Sequence, residues 1–316
     1  MTEVAVVGAG LMGHALALVF ALGGHQVRLT DTSAETLERA PGLMATALAT
    51  LAEAGEVDAS WDRQRLSHAV RCIPSLQQTV QGAAVVIEAI VERPDAKRAV
   101  YQQLETLMAP NAILASNTSY LDIFPLVPAS LQRRTIIAHW YTPPYLCDLV
   151  DLCPGPQTDP AAIATVRDMV RAMGKAPVVF KQMVQGYVAN RLQAAMQLEV
   201  YRLLDEGLVT PKDIDDSVLY GLALRIPILG IMAKADFTGL LLMQQGQKNR
   251  SYTPPEPRGH SETLDALIAQ GRTGVMSGKG YFDWGDRTPE ELFRERDRKL
   301  LALKQALRKI GPMEGT

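Results

Sequence analysis

Lysine is absent from the first 96 residues of this 316-residue chain. Other bases are scarce in part of that stretch: residues 33–60 hold Arg39 against Glu35, Glu38, Glu53, Glu56 and Asp58. The whole chain has a formal net charge of −2 and a pI of about 6.2, so it lacks the basic excess of a nucleic-acid binder. Cysteine is sparse as well. Cys72, Cys147 and Cys153 show no CxxC or Cys/His ligand spacing, which argues against a disulfide framework and a structural zinc and fits a reducing, cytoplasmic setting. An apolar strand pattern begins within a few residues of Met1 and leaves no room for a signal peptide. Unbroken apolar runs are also missing. Residues 4–22 are interrupted by Gly8, Gly10 and Gly13, and residues 219–243 contain Arg225, Lys234 and Asp236. Both read as buried core or subunit contact, not as membrane spans.

What is present is a 47% hydrophobic chain long enough for two domains. Glu3–Val7 is a short apolar strand pattern, followed by Gly8-Ala9-Gly10-Leu11-Met12-Gly13 and a helical run over residues 14–22. This is G-x-G-x-x-G in the context it requires, between a strand and a helix. Gly8 permits the tight turn, Gly10 admits a pyrophosphate to the backbone, and Gly13 lets helix and strand approach. The helix N-terminus attracts the anion. A second strand, Gln26–Thr30, ends at Asp31, 18 residues after Gly13. An acid at that distance bonds the adenosine ribose and repels a 2′-phosphate. Thr32-Ser33-Ala34 supplies no arginine to receive one, so NAD is expected over NADP.

Residues 33–55 form one long helical pattern weakened by Pro41-Gly42, and a short helix follows at 61–69, together a helical insertion over about 33–70. Residues 83–89 read as a buried strand with Ile90, Val91, Glu92 and then Lys97 at its carboxyl end, where parallel sheets bind ligands. A helix at 95–108 and a strand at 112–115 lead to Ser116-Asn117-Thr118-Ser119. These four small polar groups suit a nicotinamide edge and a substrate oxygen, or equally a helix N-cap. Residues 159–173 read as a helix and 176–180 as the last strand. Strands then disappear. Helical patterns cover residues 186–204, 211–221, 222–245, 261–270, 271–284 and 290–310, with a loop at 251–257. The expectation is a doubly wound, mostly parallel α/β domain over residues 1–183 and an all-helical domain over 184–316.

Between the last strands lies AHWYTPPYLCDLVD, residues 138–151. His139 ends an apolar strand run, Pro143-Pro144 enforces a turn, and a second apolar run carries Asp148 and Asp151. On a strand these two acids face opposite sides, so at most one points where His139 points. A histidine held by a carboxylate is a general acid/base.

Taken together these segments resemble the L-3-hydroxyacyl-CoA dehydrogenases and their relatives that act on free hydroxy acids, such as L-gulonate dehydrogenase (lambda-crystallin) and carnitine dehydrogenase. The resemblance covers nearly the whole chain. Gly8–Gly13 with Asp31 match the NAD fingerprint, and Glu88-Ala89-Ile90-Val91-Glu92 with Lys97 match the EAIVE…K segment. Ser116-Asn117-Thr118-Ser119 match SNTS, and His139 matches the histidine of an HFFNP-like segment. Asn190 matches the asparagine of GF-x-x-NR, and residues 277–284 match the SGKGFY-x-W close. The resemblance implies that Glu92, Lys97 and Asn117 serve the cofactor and that His139 is the catalytic base. It also implies that Ser119 and Asn190 bind the substrate oxygen and that the protein dimerises through the helical domain. Two positions depart from the pattern. The glutamate twelve residues after the histidine is Asp151, one methylene shorter, and the asparagine three residues after it is Thr142, which keeps a hydroxyl beside the substrate.

The implied activity is NAD-dependent interconversion of an L-3-hydroxyacyl substrate, as a CoA thioester or a related 3-hydroxy acid, and its 3-keto product. Coenzyme A phosphates want Lys or Arg, and the acidic insertion argues for a smaller or unusual 3-hydroxy acid. Arg63 and Arg65 are the nearest bases that could reverse this. An alternative is a dehydrogenase of a free acid such as L-gulonate or carnitine. A further one is an NAD-binding structural relative with little catalysis. The 6-phosphogluconate-type β-hydroxyacid dehydrogenases use a lysine on the helix after the domain boundary, and residues 186–204 contain none.

Overall fold

The computed structural model describes residues 2–250 and 252–313. Ser251, where the expected 251–257 loop begins, lies outside the described residues. The chain divides into two compact units, Met1–Tyr187 and Val188–Thr316.

The first unit is built on an eight-stranded sheet. Its strands are β1 (Glu3–Val7), β2 (Gln26–Thr30), β3 (Val70–Cys72), β4 (Val85–Glu88), β5 (Ile113–Ser116), β6 (Thr135–Trp140), β7 (Leu149–Pro154) and β8 (Ala176–Val179). Their spatial order is β3-β2-β1-β4-β5-β6-β7-β8. Every pairing is parallel except the antiparallel β6–β7 pair. The order reverses between β1 and β4, and in such sheets ligands bind outside the carboxyl ends at that point. β1 and β4 read as apolar runs because their side chains are covered on both faces.

The helices of this unit are α1 (Gly13–Leu22), α2 (Ala34–Glu53), α3 (Arg63–Ala69), α4 (Leu76–Val80), α5 (Pro94–Leu107), α6 (Ala129–Gln132) and α7 (Pro160–Ala172). α1 buries eight of its ten residues, as expected of a helix apolar nearly all round. α2 is one continuous helix through Pro41, as the long pattern over 33–55 led one to expect, although Pro41 weakens it. An interior proline costs about 3 kcal/mol. Leu37 and Ala40 before it and Met44, Leu48 and Leu51 after it all bury, and that continuous stripe outweighs the loss. β3 is a strand the sequence pattern did not reveal. It closes the insertion and extends the sheet beyond β2.

The second unit holds α8 (Ala189–Asp205), α9 (Pro211–Asp216), α10 (Ile226–Leu229), α11 (Met232–Thr238), α12 (Leu240–Lys248), α13 (Glu262–Ala269) and α14 (Pro289–Ile310). A π-helical turn, Ser217–Leu222, follows α9. The long helix expected over 222–245 is broken into pieces at Gly230 (φ +64°) and Gly239 (φ +98°), a backbone region open to glycine. Residues 271–284 are not helical, apart from a 3-10 turn at Val275–Ser277. Gly271, Gly274 and Gly278 all have positive φ, and isolated bridges join Lys279 to Gly274 and to Asp283. No helix among the described residues is long and apolar enough to cross a membrane.

Candidate active site

At the carboxyl end of β1 the amide of Gly8 donates to Thr30 O at 2.8 Å. Gly8 has φ +101°, and a Cβ there would lie 2.5 Å from Ala89 O. A Cβ on Gly13 would lie 1.6 Å from Gly8 O. The loop therefore folds only with glycine at both positions. Asp31 fastens it: Oδ2 accepts from Ala9 N at 2.7 Å and Oδ1 from Ser33 N at 2.8 Å. Each carboxylate oxygen keeps a further lone pair for a ribose hydroxyl. His14, in the first turn of α1, places Nδ1 2.7 Å from Gly10 O. Burial is the main influence on this imidazole and holds its pKa below the usual histidine value, against the hydrogen bonds to Gly10 and Ala9.

These groups open on a cleft of about 600 Å³. Gly8, Gly10, Leu11, Met12 and Asp31 line it at the β1–β2 side, and Glu92, Asn117 and Ser119 at the β4–β5 side. Pro74, Leu76, Val100 and Gln103 also line it, and sequence reasoning missed all four. They lie on α4, on α5 and before α4, and no local motif marks them. A cleft with a glycine turn, a helix N-terminus and an acid beyond the second strand fits a dinucleotide.

Glu92 gathers the loop after β5. Its Oε1 accepts from Thr118 Oγ1 at 2.7 Å and from the amides of Ser119, Tyr120 and Leu121 at 2.8, 2.9 and 3.3 Å. Burial alone would raise this carboxyl. The Thr118 and backbone donors and the Lys97 charge together hold it below the usual range. Lys97 lies deeper than its motif suggests. It is 1% exposed, with Nζ 2.8 Å from Glu88 Oε1 and 3.3 Å from Glu92 Oε2. Glu88 also accepts from Tyr101 and Ser116, both at 2.6 Å. Lys97 thus braces Glu92, and through it the Ser119 loop. Asn117 Oδ1 accepts from Trp140 N at 2.8 Å and ties the end of β5 to the end of β6.

His139 is 4% exposed on β6, directly opposite Asp151 in the β6–β7 register. Opposite residues of an antiparallel pair share a face. Asp148 is held instead by Lys175, 3.1 Å away. Asp151 Oδ2 is 3.5 Å from His139 Nδ1, longer than a hydrogen bond and consistent with the shorter side chain. Two tyrosines frame the imidazole, and sequence reasoning assigned neither. Tyr187 stacks on it with centroids 4.4 Å apart and donates to Thr118 O at 2.6 Å. Tyr141 meets it edge-on at 4.6 Å and donates to Asp151 Oδ2 at 2.7 Å. Burial first, then the Asp151 hydrogen bond and charge, push the Tyr141 hydroxyl far above the ordinary tyrosine value, so it remains a donor. Burial likewise raises Tyr187. The Cys153 thiol is pushed up to about 12, by burial and then by Asp151. Tyr187 adopts φ +50°, unusual for a residue with a side chain, beside the candidate base. Tyr141 was readable in principle, since residues two apart on an extended chain share a face. Thr142 Oγ1 lies 3.1 Å from Met12 Sδ. Asn190 is half-buried in the first turn of α8, in the second unit.

Similarity to known proteins extends over both units. Residues 3–183 match the model of the 3-hydroxyacyl-CoA dehydrogenase NAD-binding domain, and residues 186–284 match that of the 3-hydroxyacyl-CoA dehydrogenase C-terminal domain. The chain is 30% identical to 5-formyl-3-hydroxy-2-methylpyridine 4-carboxylate 5-dehydrogenase of Mesorhizobium japonicum, over 96% of this chain and 98% of that protein. It is also 30% identical to L-carnitine dehydrogenase of Streptomyces coelicolor, over 99% of this chain and 96% of that one. A crystal structure of 5-formyl-3-hydroxy-2-methylpyridine 4-carboxylic acid 5-dehydrogenase, described as an NAD+ dependent dismutase, superposes with a TM-score of 0.86. It is 29% identical and covers 99% of this chain and 100% of that one. The chain therefore belongs to the 3-hydroxyacyl-CoA dehydrogenase family, NAD-dependent dehydrogenases that act on CH–OH groups.

Proposed function

We propose that this enzyme oxidises the secondary alcohol of a free 3-hydroxy acid, with His139 as the general base. The observation that carries this is a buried imidazole whose Nδ1 faces Asp151 and whose ring is stacked by Tyr187, itself bonded to the loop that lines the cofactor cleft. With Nδ1 turned to the carboxylate, Nε2 is the nitrogen that takes the alcohol proton. Asp151 stabilises the imidazolium that results. Ser119, placed by Glu92, donates its hydroxyl to the oxygen that becomes the ketone. Thr142 is a further hydroxyl for the substrate, and Asn190→Ala tests the part of the second unit in the same assay. NAD+, which the glycine loop and Asp31 would hold, would supply the acceptor for the hydride of the carbinol carbon. The protein's share is orientation and electrostatics.

The acidic insertion supports a free acid over a thioester, because the one base of α2, Arg39, is set against Glu35 at 4.0 Å. Of the two nearby arginines, Arg65 stacks over Trp61 at 4.4 Å and bonds Ser60, whereas Arg63 is exposed. The names of the two relatives above point the same way. We also infer a homodimer through the helical unit: none of the residues of α8 to α12 is buried, and Tyr220, Met232 and Leu241 are each nearly four-fifths exposed. A monomeric mass by light scattering at micromolar concentration overturns that.

A second reading is oxidation of a formyl group, favoured by the likeness to the pyridine-carboxylate dehydrogenase. An aldehyde hydrate presents the same H–C–OH unit, and its oxidation gives a carboxylic acid. One panel separates the readings: NADH formation from 3-hydroxybutyrate, L-carnitine, L-gulonate, 3-hydroxybutyryl-CoA and a formylpyridine carboxylate. Turnover of a free hydroxy acid is expected. Turnover confined to the thioester overturns the proposal, and turnover confined to the aldehyde selects the second reading.

A further inference from the structure

Tyr141 lies in the histidine segment but has no role in the proposed reaction so far, yet it touches both members of the acid/base pair. Its hydroxyl lies 2.7 Å from Asp151 Oδ2, the same atom that is 3.5 Å from His139 Nδ1. Its ring meets the imidazole edge-on, with 72° between the planes. Asp151 is 1% exposed, so bulk water does not orient its carboxylate. An aspartate without a second anchor turns about its two side-chain torsions, and at 3.5 Å the histidine alone is a weak restraint.

We propose that Tyr141 is a positioning residue: its hydroxyl pins the Asp151 carboxylate beside Nδ1 of His139 and supplies the hold that this short side chain does not achieve by itself. The proposal rests on reading His139 as the base. A charge-assisted hydrogen bond from a tyrosine is short and directional, so Oδ2 is fixed from one side while its remaining lone pair faces the imidazole. The carboxylate thereby keeps the proton of neutral His139 on Nδ1 and leaves the Nε2 lone pair toward substrate. The other ionisable groups around this cluster are Tyr187, stacked on the ring, Cys153, two residues along β7, and Glu92 and Tyr120 from the adjoining loops. Burial keeps the Cys153 thiol and the Tyr187 hydroxyl protonated at neutral pH, and neither hydrogen-bonds Asp151 in place of Tyr141.

The test reads the histidine directly and needs no substrate. The chain has five histidines, so a nitrogen-15 histidine spectrum of the full protein is tractable, with His139 assigned by His139→Gln. Wild type is expected to show a single His139 tautomer, protonated on Nδ1. Tyr141→Phe keeps the ring and removes the hydroxyl; the two ring-nitrogen signals are expected to move toward each other as the tautomers mix. Asp151→Asn is expected to mix them as well, and adding Tyr141→Phe to it to change nothing further. In an Asp151→Glu background the longer acid reaches the histidine itself, and Tyr141→Phe is expected to leave a single tautomer. NAD binding by each variant confirms folding. A wild-type pattern in Tyr141→Phe, or mixed tautomers already in wild type, overturns the proposal. Loss of the base reading shows separately, as His139→Gln retaining full turnover while the spectra behave as expected.

Discussion

His139 and Asp151 face each other across the antiparallel β6–β7 pair with Nδ1 and Oδ2 3.5 Å apart, and the carboxylate's close partner is Tyr141 at 2.7 Å. The strand register brings the carboxylate and the imidazole to one face, and a tyrosine hydroxyl shares the carboxylate. This follows from side-chain length: opposite strand residues have fixed Cβ spacing, so a shorter acid stops short of its histidine.

Lys97 and Glu88 are 1% and 0% exposed, and their charges meet at 2.8 Å. Removing one partner of such a buried pair leaves an uncompensated charge. Lys97→Met is therefore expected to destabilise the first unit by about 3 kcal/mol, the lower end of the range for broken buried pairs, because Tyr101 and Ser116 still donate to Glu88. Urea unfolding followed by circular dichroism measures it. A loss below about 1 kcal/mol would mean that the network tolerates a lone carboxylate.

Asp31 bonds the glycine loop and lines the cleft. Asp31→Ser is expected to weaken NAD binding about tenfold or more, as loss of a charge-assisted hydrogen bond implies, and to narrow the preference for NAD over NADP. Titrating both cofactors by fluorescence tests this. An unchanged preference would remove Asp31 from cofactor selection.

His14 has a lowered pKa because burial disfavours its charged form. The unfolded chain then binds a proton that the folded chain resists. Its contribution to stability is complete above the ordinary value of 6.5 and is lost as pH falls below it toward the folded value. The thermal midpoint is expected to fall between about pH 7.5 and about pH 5.5, and to fall less in His14→Gln. Equal falls in both proteins would show that other groups carry the acid sensitivity.

Much of the fold was legible because its signals are local. The strand–glycine–helix start, Asp31 and the apolar strands β4 and β5 need only neighbouring residues to be understood. β3 was missed because a three-residue strand has too few residues to show alternation. The breaks at Gly230 and Gly239 and the looped 271–284 segment were missed because apolar spacing does not report φ, whereas glycine permits the left-handed turns that end a helix. Within the site, the cofactor cleft was readable from its motif, and the twelve-residue spacing offered Asp151 as the partner of His139, but the register that sets them opposite was not readable. The contacts of Tyr187 were not readable, because Thr118 and His139 come from distant segments, and the depth of Lys97 was not, because motif spacing does not report burial.

In the proposed reaction His139 takes the substrate proton. NADH formation in wild type and His139→Gln, with the best substrate of the panel and NAD affinity measured alongside, reads this role. The expected result is a fall in kcat of about a hundredfold or more with NAD binding retained, as removal of a general base implies. Activity within about threefold of wild type would contradict it, since general-base catalysis contributes far more than that.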